Sequence, residues 1–187
     1  MIPVSGRNTD FVISQSRGEI YHASNSGVLS VFDLESFELL AQIELGEPAP
    51  FLANLALDDR RGRLYLTRFL GGDVLVFDLE RREQVDRVQL GQGLRFVALA
   101  PGRELLAVSN YMSGELYLLR AADLQTLAVL DVGRRPRWID VAADESCLAL
   151  CSGAGALVIE LDAVPGVPRY QPPPTVDGLG SAVDPGA

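Results

Sequence analysis

Side chains able to do chemistry are scarce in this chain of 187 residues. Histidine, the usual general base, occurs once, as His22. It falls where comparable segments carry Leu66 and Val108, so it reads as a packed or hydrogen-bonded side chain rather than a catalytic one. The two cysteines, Cys147 and Cys151, are four residues apart. On an extended strand that spacing leaves both thiols on one face, roughly 13 Å apart. A disulfide needs Cα atoms within about 7 Å, so the pair is expected as small core residues. Two thiols and one imidazole make no usual metal cluster, and no Cys-x-x-Cys-His is present to attach a haem. Ser109 and Ser152 lack a hydrolase motif. Gly71-Gly72 and Gly91-Gln92-Gly93 precede no helix and are not phosphate loops. No catalytic residue, metal site or cofactor is predicted.

What remains is arginine next to aromatic residues. Arg68-Phe69, Arg95-Phe96 and Arg134-Arg135-Pro136-Arg137-Trp138 carry the pairing, with Phe51 and Tyr111-Met112 as further candidates. Guanidinium forks hold anions, and aromatic faces stack on planar or cationic groups. If the fold gathers these segments, they would bind an anionic or planar ligand.

Composition narrows the partners. The net charge is −9, and all 16 basic residues are arginine. Phosphate affinity comes mainly from positive charge, so nucleic acid and anionic membranes are not expected partners. No apolar run approaches the eighteen or so residues of a membrane span. Met1 to Arg7 shows no basic start followed by an apolar run. This reads as a cytoplasmic protein without a signal peptide, or as a periplasmic or surface one if the chain is an N-terminally truncated fragment.

The elements that must position these residues repeat. Gly72-Asp73-Val74-Leu75-Val76-Phe77-Asp78-Leu79 echoes Gly27-Val28-Leu29-Ser30-Val31-Phe32-Asp33-Leu34, and weaker copies begin at Gly114 and Gly155. The leading glycines are 45, 42 and 41 residues apart. Within each period the apolar residues alternate with period two, and Gly, Asp, Asn, Ser and Pro mark the turns. A period near forty filled with short strands is the mark of a β-propeller blade. The sequence therefore predicts an all-β propeller of about four four-stranded antiparallel blades, over about 8–45, 50–90, 94–132 and 137–162. The last blade is expected to lack its outer strand, because no alternating segment follows Leu161. Residues 163–187, with Pro172-Pro173-Pro174, are expected to form a disordered tail.

The repeated second strand reads Ile20-Tyr21-His22-Ala23-Ser24, Leu64-Tyr65-Leu66-Thr67 and Leu106-Ala107-Val108-Ser109-Asn110. The third strand ends in Phe32-Asp33 or Phe77-Asp78. The fourth ends in Leu45-Gly46, Leu90-Gly91 or Val132-Gly133, and Pro136 precedes an inner strand. This pattern resembles the YVTN-type β-propeller repeat over about residues 1–162. That resemblance implies kinship with lactonase-like and cytochrome d1-like propellers of about seven blades, found among bacterial and archaeal surface or periplasmic proteins. WD-repeat propellers share the period, but their Gly-His and Trp-Asp signatures are missing.

Four blades form a partial ring, expected to be completed by a homodimer or by further blades of a larger propeller, with tight closure as a four-bladed ring as the third outcome. In a propeller, the loops leading into inner strands and those joining second to third strands share one rim. That places Arg68, Phe69, Arg95, Phe96, Tyr111, Arg134, Arg135, Arg137 and Trp138 around one opening. The leading expectation is a non-catalytic module binding a protein or small ligand, anionic by preference, on this rim or on its open blade edges. The alternative is a lactonase-like hydrolase fragment with a metal held by Asp58, Asp140 or Asp144.

Overall fold

The computed structural model describes residues 8–45 and 52–171. Strands β1 (Asn8–Ser14), β2 (Glu19–Ser24), β3 (Val28–Asp33) and β4 (Leu39–Glu44) form the first sheet in that order. The second holds β5 (Leu52–Asp58), β6 (Arg63–Arg68), β7 (Asp73–Asp78) and β8 (Glu83–Gln89). The third holds β9 (Leu94–Ala100), β10 (Leu105–Asn110), β11 (Glu115–Arg120) and β12 (Thr126–Asp131). The fourth has three strands, β13 (Arg137–Val141), β14 (Cys147–Ser152) and β15 (Gly155–Glu160). All pairings are antiparallel between consecutive strands, as short turn connections require. Among the described residues the last blade has no fourth strand.

The glycines that opened the repeat have a backbone reason to be there. Gly27, Gly72, Gly114 and Gly155 all have positive φ, where a side chain is strained. At Gly72 a Cβ would also lie 2.5 Å from the carbonyl carbon of Gly91. The carbonyls of Gly27, Gly72 and Gly114 accept hydrogen bonds from Leu45, Leu90 and Val132, at the ends of the three outer strands.

Alternation along the strands gives each blade two apolar faces, and adjacent blades bury them against each other. The inner strands follow one another around the arc, β1 beside β5, β5 beside β9 and β9 beside β13. Tyr21, Ala23, Leu29 and Val31 of the first blade pack on Leu64, Leu66, Leu75 and Phe77 of the second. Tyr65 and Val76 of the second meet Leu106, Val108 and Leu119 of the third. Ala107, Leu116 and Leu118 of the third meet Leu148 and Leu150 of the fourth. Each fully buried side chain of this kind contributes roughly 1.5–3 kcal/mol, so the junctions between blades hold the arc together.

Two expectations are corrected. Cys151 is exposed and Cys147 only half-buried, because no following blade covers their face of β14. Residues 163–171 are ordered rather than a disordered tail. Val164 and Val167 pack on the last core cluster, and Gln171 N–H donates to the Gly102 carbonyl at 3.0 Å. Buried Arg103 fastens this return, donating to Asp162 Oδ1 at 2.7 Å and to the Pro168 carbonyl at 3.0 Å. Glu145 accepts from the Gly102 and Arg103 amides, at 3.0 Å each, in the same knot. The rest of the expected tail, 172–187, lies outside the described residues.

Candidate functional site

Every inner strand is irregular near its beginning. The register of pairing slips between Asn8 and Asp10, between Leu52 and Asn54, between Arg137 and Ile139, and in β9 where it meets Val108 and Asn110. An extra residue there bends the strand and re-aims side chains. Asp10, Asn54, Phe96 and Trp138 occupy the same step of the four inner strands. In the first half of the arc this step is a polar ladder. Asp10 Oδ2 accepts from Asn54 Nδ2 at 2.6 Å and from Leu55 N–H at 2.8 Å, and Asn54 Oδ1 accepts from Val97 N–H at 3.0 Å. In the second half it is aromatic, with the Phe96 and Trp138 rings 5.5 Å apart and tilted by 55°. Trp138 holds φ at 51°, a left-handed conformation uncommon for a bulky residue.

The turns between second and third strands bring their aromatic residues to the same place. Asn110 Oδ1 accepts from the Met112 and Ser113 amides at 3.0 and 3.1 Å, a side-chain-capped turn that presents Tyr111. Tyr111 N–H donates to the Gly93 carbonyl at 2.7 Å, which ties this turn to the start of β9. The Tyr111 ring then sits 6.2 Å from Phe69. The Arg95 guanidinium lies 5.2 Å from the Tyr111 centroid and 5.5 Å from that of Phe96, and Arg137 lies 5.7 Å from Tyr111. Arg134 and Arg135 complete the wall. Tyr111, Met112, Arg134 and Arg135 line a hollow of about 200 Å³. An adjoining depression of about 530 Å³ runs between Gly133, Arg134, Arg135, Gly153 and Ala154.

The electrostatics of this cluster are one-sided. Arg61, Arg68, Arg82, Arg87, Arg103 and Arg120 each pair with a carboxylate. Among the described residues, Arg95, Arg134, Arg135 and Arg137 form no such pair. Arg95 Nε is buried without a hydrogen-bond partner. The Tyr111 phenol registers the resulting field. A hydrogen bond from Arg137, with the nearby charges of Arg135, Arg137 and Arg95, holds it below the usual phenol range.

Most of the residues expected on the rim are thus in one cluster. Arg68 is the exception in role, because its guanidinium forks onto buried Asp73 at 2.7 and 2.6 Å. Phe51 lies outside the described residues. Sequence reasoning missed the walls at Gly133, Gly153 and Ala154 and the ladder through Asp10 and Asn54. The ladder had a signal, since Asp10, Asn54, Phe96 and Trp138 are 44, 42 and 42 residues apart. The carboxylates of the hydrolase alternative stand elsewhere. Asp58 and Asp144 lie in turns at or beyond the far ends of the inner strands, and each accepts hydrogen bonds within its own turn. Asp140 Oδ1 accepts from the neighbouring Val141 amide. Among the described residues no three His, Cys, Asp or Glu side chains gather as a metal would need, and no helix is long and apolar enough to cross a membrane.

No protein-family model and no curated protein sequence matches the chain. Solved structures do. A dihydro-heme d1 dehydrogenase, NirN, solved in complex with DHE, superposes with a TM-score of 0.70 at 22% identity, over 90% of this chain and 37% of that one. The hydrazine synthase of Kuenenia stuttgartiensis gives 0.72 at 12% identity, over 87% of this chain and 49% of its own. U3-55K gives 0.66 at 11% identity, over 84% and 53%. The chain thus spans about half or less of these proteins, and likeness at such identities concerns the fold alone. With the sheets described above, it establishes this chain as a four-blade stretch of a β-propeller.

Proposed function

We propose that this stretch is a non-catalytic binding module whose rim takes an anionic ligand with a flat face. One observation carries the reading: four guanidiniums with no carboxylate partner among the described residues, Arg95 and Arg137 against the aromatic rings and Arg134 and Arg135 beside Tyr111, gather in a protein of net charge −9. Like charges held together in an acidic molecule repel one another and gain when an anion arrives. Guanidinium forks supply charge-assisted hydrogen bonds to it, and Tyr111, Phe96 and Trp138 supply the surface on which a planar group stacks. The repeat is assigned to the YVTN type on its recurrent second strands and on the Asp and Gly residues that end its third and fourth strands. The hydrolase reading has no comparable support, since its carboxylates are engaged in their own local hydrogen bonds.

Calorimetric titration with pyrenetetrasulfonate, a planar polyanion, tests this proposal. Wild-type protein is expected to bind with an affinity that falls as salt rises. Arg135→Ala and Arg137→Ala should each weaken binding about tenfold or more, as loss of a hydrogen bond to a charged group worth about 1.5–3 kcal/mol implies. Arg60→Ala, on an exposed turn away from the cluster, should leave it unchanged. Equal losses in all three variants, or no binding by the wild type, would refute the rim as the site.

A further inference from the structure

The outer edges of the first three blades share two devices that the edge of the last blade lacks. Each outer strand holds one extra residue opposite its neighbour, Leu40 in β4, Val85 in β8 and Leu127 in β12. Each also carries charge, at Glu44, at Asp86 and Arg87, and at Asp131. Bulges and charges of this kind keep an edge from pairing with further strands. The last blade ends instead on β15. It pairs with β14 in unbroken register from Gly155 to Glu160, as β3, β7 and β11 pair with their second strands. Its middle reads Ala156-Leu157-Val158-Ile159, without a charge or a proline. By both marks β15 is made to be covered.

The backbone groups on its free side can be named. Leu161 N–H donates to the Ser146 carbonyl at 2.9 Å, so alternation points the N–H and C=O of Val158 and Ala156 away from β14. Among the described residues no strand pairs with that side. The chain that follows does not turn back along it. A 3-10 turn occupies Leu161–Ala163, and Arg103 then ties Asp162 and Pro168 to the third blade. The earlier blades show what a strand in this place looks like. By register, Ala156 and Val158 hold the positions of Leu29 and Val31, Val74 and Val76, and Leu116 and Leu118. Those pairs lie opposite Ile43 and Ala41, Val88 and Asp86, and Leu130 and Ala128. Two residues after Ile43, Val88 and Leu130 come Leu45, Leu90 and Val132, and then a glycine.

We propose that the free edge of β15 is a docking site for an extended segment of another polypeptide, which adds antiparallel as the fourth strand of the last blade. The three outer strands of this chain define the chemistry of that segment. It places Ala or Asp opposite Val158 and Ile, Val or Leu opposite Ala156. A Glu, Gln or Asp follows, then Leu or Val, then Gly, as in Glu44-Leu45-Gly46, Gln89-Leu90-Gly91 and Asp131-Val132-Gly133. Main-chain hydrogen bonds to Ala156 and Val158 supply the affinity of such strand addition, and the alternate side chains supply its selectivity. The aliphatic residue comes to lie beside Val158, which is 69% exposed, and removes apolar surface from water.

Amide hydrogen exchange, read residue by residue by NMR on the whole chain, tests the proposal with the acetylated peptide Thr-Leu-Ala-Val-Leu-Asp-Val-Gly, the sequence of residues 126–133. Without peptide, the Ala156 and Val158 amides should exchange faster than those of Leu157 and Ile159, which face β14. At saturation the peptide should slow Ala156 and Val158 about tenfold. Val132 N–H donates to the Gly114 carbonyl in the third blade, so in the peptide the amides matching Leu130 and Val132 are the ones that face β15. N-methylation at those two positions should abolish the protection, whereas N-methylation at the positions of Val129 and Asp131 should leave it. No slowing at Ala156 and Val158, or equal slowing by both methylated peptides, would overturn the docking site. So would protection already complete without peptide, which would show the edge filled by another segment of this chain or by a second copy.

Discussion

At the scale of single residues, burial and charge decide which of the arginines are available. Arg68 and Arg103 are spent on carboxylates and carbonyls that they satisfy inside the fold. Arg95 and Arg137 lie instead against the Tyr111 ring. The sequence placed Arg68, Arg95 and Arg137 together on the rim but could not separate them, because the partner of Arg68 is Asp73, across a turn. Tyr111 provides a local probe of the field. Its phenol is held below the ordinary value, first by the hydrogen bond from Arg137 and then by the neighbouring charges. Ultraviolet titration should therefore find one tyrosine ionising early, and Arg137→Ala should return it toward about 10. Others move the opposite way: Tyr117, desolvated and bonded to Glu115, is pushed up to about 12. The sign for stability follows from the proton count. A depressed phenol favours the native state only as pH rises through the folded value toward the ordinary one, so the interaction adds nothing at neutrality. No early-ionising tyrosine, or one indifferent to Arg137→Ala, would show that the guanidiniums point away from the ring.

At the scale of elements, nearly every strand was legible, because alternation with period two is imposed by burial on each face of a sheet. The bulges near the start of the inner strands were not. They depend on which extra residue a strand accommodates opposite its partner, and nothing in the local pattern at Thr9-Asp10 or Trp138-Ile139 marks that. The two cysteines were misplaced for a related reason. Their strand has the apolar alternation of a buried one, yet its second face lacks a covering blade. Strain is stored in the loop before β13, where Arg135 lines the hollow, and at the start of β13 itself. Arg135 and Trp138 both have left-handed φ, at 58° and 51°, and an L residue pays about 1–2 kcal/mol for that conformation. Arg135→Gly should relieve it, raising stability by roughly 0.5–1 kcal/mol after the entropy of glycine is counted, while weakening polyanion binding. Denaturant unfolding checks the first effect and titration the second. A variant that is both less stable and equally tight would mean that Arg135 is there for packing.

At the scale of the whole molecule, the period of the repeat was enough to foresee four blades. It also put Phe69, Arg95, Tyr111 and Arg137, from three blades, around one opening, but not the ring and guanidinium contacts among them, which depend on the bends at the start of the inner strands. The same convergence makes the account vulnerable to one direct observation. Trp138 stands in the cluster beside Phe96, and as the sole tryptophan it reports from that point alone. The measurement is its emission during titration with pyrenetetrasulfonate, in wild-type protein and in the Arg134→Ala/Arg135→Ala/Arg137→Ala variant. Saturable quenching in the wild type, lost in the variant and weakened by salt, is the result predicted for a cationic, aromatic mouth. Quenching that never saturates, or that is the same in both proteins, would contradict it.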